Sequence, residues 1–117
     1  MEMETFSSGW IGVDLDGTLA FYDGWRGHKH VGAPIPLMVK MVKEWRKQGI
    51  RVKIFTARVS MDEGKELQET IQAIESWSKI YIGEVLEITC KKDFSMIRLY
   101  DDRAIQVITN TGQPVLQ

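Results

Sequence analysis

Apolar and polar positions follow two rhythms along this chain. The run Trp10-Ile11-Gly12-Val13-Asp14-Leu15 is apolar until it meets a carboxylate, the pattern of a buried strand that delivers polar residues at its C-terminal end. Arg51 to Phe55 repeats the pattern and ends at Thr56-Ala57-Arg58. Ile97 to Tyr100 repeats it again and ends at Asp101-Asp102. Between the first two runs, Met38, Met41, Val42 and Trp45 recur at helical spacing, with Lys40, Lys43, Glu44 and Arg46 on the other face. Pro34 and Pro36 suit the opening of that helix, and Gly49 suits its end. Ser60 and Glu63 form a capping-box pattern ahead of a second stripe made of Leu67, Ile71, Ile74 and Trp77. From Ile80 to Thr89 the pattern is ambiguous, with Val85 to Ile88 readable as a strand. Ala104 to Ile108 reads as a last strand, followed by a turn at Asn110-Thr111-Gly112.

Strands alternating with helices predict an α/β protein, a Rossmann-like parallel sheet with helices on its faces. One stretch stands outside this scheme. Phe21 to Ala33 carries Gly24, Gly27 and Gly32 among Tyr22, Trp25, His28 and His30, and reads as a flap over residues 21–33. The polar clusters Asp14/Asp16, Thr56/Arg58 and Asp101/Asp102 each follow a strand. Ligands of open α/β sheets bind beyond the carboxyl ends of strands, so the three clusters are expected to converge on one site.

Composition adds bounds. The 117 residues suit a single domain spanning 1–117. With 15 basic and 16 acidic side chains the net charge is -1, which excludes a general nucleic-acid coat but leaves room for a local basic site. Cys90 is the single cysteine, so no internal disulfide forms and a reducing compartment is expected. The first residues lack an apolar signal core, and no run approaches a membrane span. A soluble, cytoplasmic protein with no membrane partner is the expectation, its oligomeric state open.

The clustered residues share one chemistry. Phosphate monoesters are anions, so a carboxylate nucleophile needs a cation to screen the encounter. Mg2+ favours oxygen ligands, and Asp14, Asp101 and Asp102 supply carboxylates. Asp14 is placed as the nucleophile and Asp16 as the acid/base. Thr56 offers a hydroxyl and Arg58 a fork that matches phosphate geometry. Lys91 or Lys92 adds a positive charge. Two histidines, His28 and His30, are too few for a zinc site and read as loop residues. Trp25 either packs its own loop or stacks on a base or sugar. Arg58 and Arg103 also read as structural partners of the acids, Arg103 above all.

These residues resemble the motifs of the haloacid dehalogenase-like superfamily. Asp14-Leu15-Asp16-Gly17-Thr18-Leu19 is similar to its first motif, Thr56 in Ile54-Phe55-Thr56-Ala57-Arg58 to its second, and Asp101-Asp102 to its paired-acid fourth. Lys92 is the better match for the motif lysine, with Lys91 the alternative. The resemblance implies a Rossmann-like domain, Mg2+ held by Asp14, Asp101, Asp102 and the backbone carbonyl of Asp16, and phosphate held by Thr56, Ala57, Arg58 and Lys92. It implies a phosphohydrolase working through an aspartyl-phosphate. The chain has no room for the cap domain most members carry, which leaves the 21–33 flap and an open site. A shorter similarity, Arg58 together with Asp101-Asp102-Arg103, is to the phosphatase domain of polynucleotide kinase-phosphatase. The expected substrate is therefore a phosphorylated small molecule or a nucleic-acid end, such as a nucleotide or polynucleotide 3'-phosphate. Phosphotransfer to an acceptor alcohol, or metal and phosphate binding without turnover, are the alternatives.

Overall fold

The computed structural model describes residues 9–115. Strand β1 (Trp10–Asp14) is followed by helix α1 (Pro36–Lys47), strand β2 (Arg51–Phe55), a 3-10 turn (Ala57–Val59) and helix α2 (Lys65–Tyr81). Strands β3 (Glu87–Thr89) and β4 (Met96–Tyr100) complete the sheet. Its order is β3-β2-β1-β4, and every pairing is parallel. The fold is the expected α/β, Rossmann-like arrangement.

Register decides which side chains share a face. Ile11 pairs with Val52 and Val13 with Ile54, so these four point the same way. They join one buried cluster with Met38, Val39 and Val42 of α1 and with Ile74 and Trp77 of α2. On β4 the ring of Tyr100 lies 5.0 Å from that of Trp45. Both helices therefore cover one face of the sheet, where helices on its two faces were expected. The cause is topological. The steps from β1 to β2 and from β2 to β3 go in the same direction, and right-handed crossovers then place both helices on the same side.

The return from β3 to β4 runs the opposite way and uses only residues 90–95, on the other face. There Trp10 is fully buried, its Nε1 donates to Asp93 at 2.8 Å, and the Lys53 ammonium sits 4.4 Å from its ring centre.

Several expected boundaries shift. Pro36 opens α1 as expected, and Gly49, at φ +82°, ends it. The Ser60/Glu63 capping box does not form. Ser60 closes the 3-10 turn instead, and α2 starts after Gly64, whose φ of +117° turns the chain and whose lack of a side chain leaves the helix uncapped. Ile74 and Trp77 are buried, whereas Leu67 and Ile71 are only half-buried. The third strand covers Glu87–Thr89, leaving Val85 exposed outside it. Ala104 to Ile108 does not join the sheet. Val107 bridges to Pro114 across the expected turn, where Asn110 and Gly112 adopt φ of 65° and 77°. Ile105, Val107 and Ile108 are exposed, so this segment has no buried face to hold it on a sheet edge. Among the described residues, no helix is long and apolar enough to cross a membrane.

Candidate active site

The segment after β1 forms a compact turn rather than an open loop. Leu15 and Leu19 are fully buried, and the N–H groups of Leu19 and Ala20 donate to the Leu15 carbonyl at 3.0 and 2.8 Å. Two apolar anchors thus fix the polar residues between them. Gly17 sits at φ +94°, where a Cβ would lie 2.5 Å from Asp102 Oδ2. The glycine is needed twice, for the backbone angle and for the approach of the β4 end.

That approach assembles the acids. Carboxylate oxygens of Asp14, Asp101 and Asp102 all lie within 4.8 Å of one another. Thr18 ties them together. Its hydroxyl lies 3.3 Å from Asp14 Oδ2 and 3.1 Å from Asp102 Oδ1, and it accepts from the Asp102 N–H at 3.0 Å. Sequence reasoning gave Thr18 no role, although its position right after Asp-x-Asp-Gly was the available signal. Arg103 contributes its backbone N–H to Asp101 Oδ1 at 2.8 Å.

Crowding has an electrostatic consequence. The Asp14 carboxyl is pushed up to about 7. Burial is the largest cause, followed by the hydrogen bond with Asp102 and the negative charges of Asp101 and Asp102, while the Thr18 bond acts the other way. Three crowded carboxylates of this kind suit a hard divalent cation, which would offset both the burial and the mutual repulsion. The donor set therefore fits Mg2+.

Beside the acids, the end of β2 contributes Thr56, which is buried and whose Oγ accepts from the Arg58 N–H at 3.2 Å. Arg58 does not point at open space. Its Nε and NH2 donate to the two oxygens of Asp16 at 2.7 and 2.8 Å, and its NH1 donates to the His30 carbonyl at 2.8 Å. Its guanidinium also lies 4.9 Å from the ring centre of Trp25. Arg58 thus braces Asp16 against the flap.

The flap is held at other points as well. Trp77 Nε1 donates to the Gly32 carbonyl at 2.8 Å, and the Phe21 N–H donates to the Ala33 carbonyl at 2.7 Å. His28 Nε2 meets Glu69 Oε1 at 2.8 Å, which gives this histidine a partner on α2. His30 is exposed and enters through its backbone only.

Asp14, Asp16, Thr56, Ala57, Arg58 and Asp102 line one cavity of about 460 Å³, together with Tyr22 and Trp25 from the flap. Asp101 stands beside Asp14 in the acid cluster. The two lysines do not line this cavity. Lys91 lines a neighbouring groove of about 450 Å³ with Cys90, Leu67 and Ile71, and Lys92 lines neither. The reason is the short return to β4. By Asp93 the chain has already reached Trp10 at the far end of β1.

The fold defines the class of architecture, an open parallel α/β sheet with polar residues at the carboxyl ends of its strands. No protein-family model and no curated protein sequence matches the chain. Among solved structures, a conserved protein from Bacteroides thetaiotaomicron is similar, with a TM-score of 0.54 and 23% identity. The alignment covers 83% of this chain and 78% of that one, and at this identity the likeness speaks to the fold alone.

Proposed function

We propose that this chain is a capless, Mg2+-dependent phosphohydrolase of the haloacid dehalogenase-like kind, acting on phosphate monoesters through an aspartyl-phosphate. The observation that carries the reading is the convergence of Asp14, Asp101 and Asp102 within 4.8 Å, in a cavity that also receives Asp16, Thr56 and Arg58.

Asp14, Asp101 and Asp102 hold the cation, which when bound polarises the phosphoryl oxygens and screens the carboxylates from the incoming anion. An oxygen of Asp14 attacks phosphorus, and the bond to the ester oxygen breaks. Asp16 gives the departing oxygen a proton. Water then attacks the phosphorus of the aspartyl-phosphate and passes a proton back to Asp16, releasing inorganic phosphate and restoring Asp14. Thr56 and the backbone around Ala57 donate to the phosphoryl oxygens. Both oxygens of Asp16 accept from Arg58. An acid/base role therefore requires that pair to open, and an arriving phosphate offers the same guanidinium fork a second set of oxygens. We read the single, half-buried Cys90 as compatible with a reducing, cytoplasmic setting.

Phosphate release from acetyl phosphate and p-nitrophenyl phosphate tests the proposal. Activity should require Mg2+, vanish with chelator, and vanish in Asp14→Asn while that protein keeps its circular dichroism spectrum and a cooperative unfolding transition. Wild-type turnover in Asp14→Asn would sink the mechanism. The closed Asp16–Arg58 pair favours one second reading, a module that binds metal and phosphate without turnover. Calorimetric binding of phosphate with no release from a broad ester panel would support that reading instead.

A further inference from the structure

The cavity has a wall that phosphate chemistry does not use. Tyr22 and Trp25 line it from the flap and are 46% and 59% exposed. Large rings left in water beside an anionic floor are surface that a flat ligand would cover. Trp25 is also braced. The Arg58 guanidinium lies 4.9 Å from its ring centre, and its NH1 donates to the His30 carbonyl of the same flap. One face of the indole therefore rests on a side chain that is only 6% exposed, while much of the ring stays open. A ring held this way loses little freedom when a ligand stacks on it.

We propose that Trp25, with Tyr22 nearby, is a stacking platform for the base of a nucleotide whose phosphate lies at Asp14. The proposal rests on the phosphohydrolase reading of the cavity floor and names its substrate class. Spacing separates a nucleotide from the other esters. Arg58 stands between the Asp16 carboxylate, 2.7 Å from its Nε, and the indole, 4.9 Å from its guanidinium carbon. A ring bonded directly to an ester oxygen beside Asp16 meets Arg58 before it reaches Trp25. A base carried on a pentose stands further from its phosphate. A sugar phosphate without a base has no flat face to offer. The volume of about 460 Å³ lies within the range of small-ligand sites. Stacking accepts any base, so the platform selects for a base and not among bases. A free nucleoside monophosphate and the phosphorylated end of a strand present the same chemistry.

The experiment compares kcat/KM for adenosine 3'- and 5'-monophosphates, a short oligonucleotide with a terminal phosphate, and ribose 5-phosphate, all with Mg2+. Acetyl phosphate serves as the independent test of phosphatase chemistry. The base-bearing esters, as mononucleotide or strand end, should exceed ribose 5-phosphate by about tenfold or more. That ratio should collapse in Trp25→Ala and return in Trp25→Phe, a pattern that mere loosening of the flap would not give. Equal kcat/KM for base-bearing and base-free esters, with acetyl phosphate cleaved, would overturn the platform and leave the phosphatase reading intact. If no ester is cleaved, quenching of tryptophan fluorescence by adenosine monophosphate but not by ribose 5-phosphate, lost in Trp25→Ala, would uphold the platform alone. Absence of both turnover and quenching would overturn the two together.

Discussion

Arg58 grips Asp16 with two parallel hydrogen bonds of 2.7 and 2.8 Å, although the two residues come from different strand ends. Among the described residues, the pair is the one place where a cationic side chain bonds an acid of the site. Removing it should therefore hurt the metal-free protein most. Arg58→Ala is expected to lose about 2–4 kcal/mol, because a largely buried acid is left without its partner. Arg58→Lys should recover only part of this, since a point charge cannot reproduce the fork. Urea unfolding in chelator measures both.

Asp14 makes stability depend on pH. Its folded carboxyl, at about 7, lies above the unfolded value of 3.8, so the folded chain binds the extra proton between them. Stability of the metal-free protein should then fall as pH rises from about 4 to about 7 and level off above. Mg2+ should raise Tm more at pH 7.5 than at pH 5, because the ion replaces the proton. Asp14→Asn should flatten the pH trend and weaken the Mg2+ response. Thermal melts across pH, with and without Mg2+, decide the matter. A Tm that climbs through this window in chelator would contradict the assignment.

Gly17→Ala probes the close approach of the β1 and β4 ends. Its Cβ would sit 2.5 Å from Asp102 and at an unfavourable φ. A cost of about 1–2 kcal/mol in stability is expected, from backbone strain and displacement of Asp102. Mg2+ affinity by calorimetry should drop several-fold. Full Mg2+ affinity in Gly17→Ala would show that the approach is not needed.

Trp77→Phe removes one hydrogen bond to the flap while keeping most of the buried ring. About 1 kcal/mol of stability should go. Protease cleavage within residues 21–33 should speed up, because Gly32 loses its anchor on α2. Unchanged cleavage in that segment would mean that the remaining flap contacts suffice.

Much of the fold was readable because burial writes a strong pattern. Ile11, Val13, Val52 and Ile54 had to be apolar to face two helices, and the strand ends then located the polar clusters. Other features left no such mark. The missing capping box turns on the backbone angle of Gly64, which residue type permits but does not demand. Ala104 to Ile108 looks like a strand because its residues favour extended backbone, yet nothing in them says whether a sheet edge will accept them. Lys92 was the better match for the motif lysine, but the path of residues 90–95 carries it past the cavity. The Arg58–Asp16 bond was half legible. The sequence allows Arg58 as a phosphate fork or as a structural partner of the acids, and only proximity reveals that Asp16 is the acid it meets.

The central position of β1 has a consequence for how this chain is made. Its two neighbours are β2, close behind in sequence, and β4, which pairs Gly12 with Leu99 and Val13 with Tyr100. Trp10 likewise waits for Asp93, and Thr18 for Asp102. A growing polypeptide that has emerged only through β3 holds one of the three carboxylates of its acid cluster and an open flank on its central strand. During synthesis the site can therefore be completed only after residues 96–102 leave the ribosome, which makes this short stretch the step at which a nascent chain first brings its three carboxylates together.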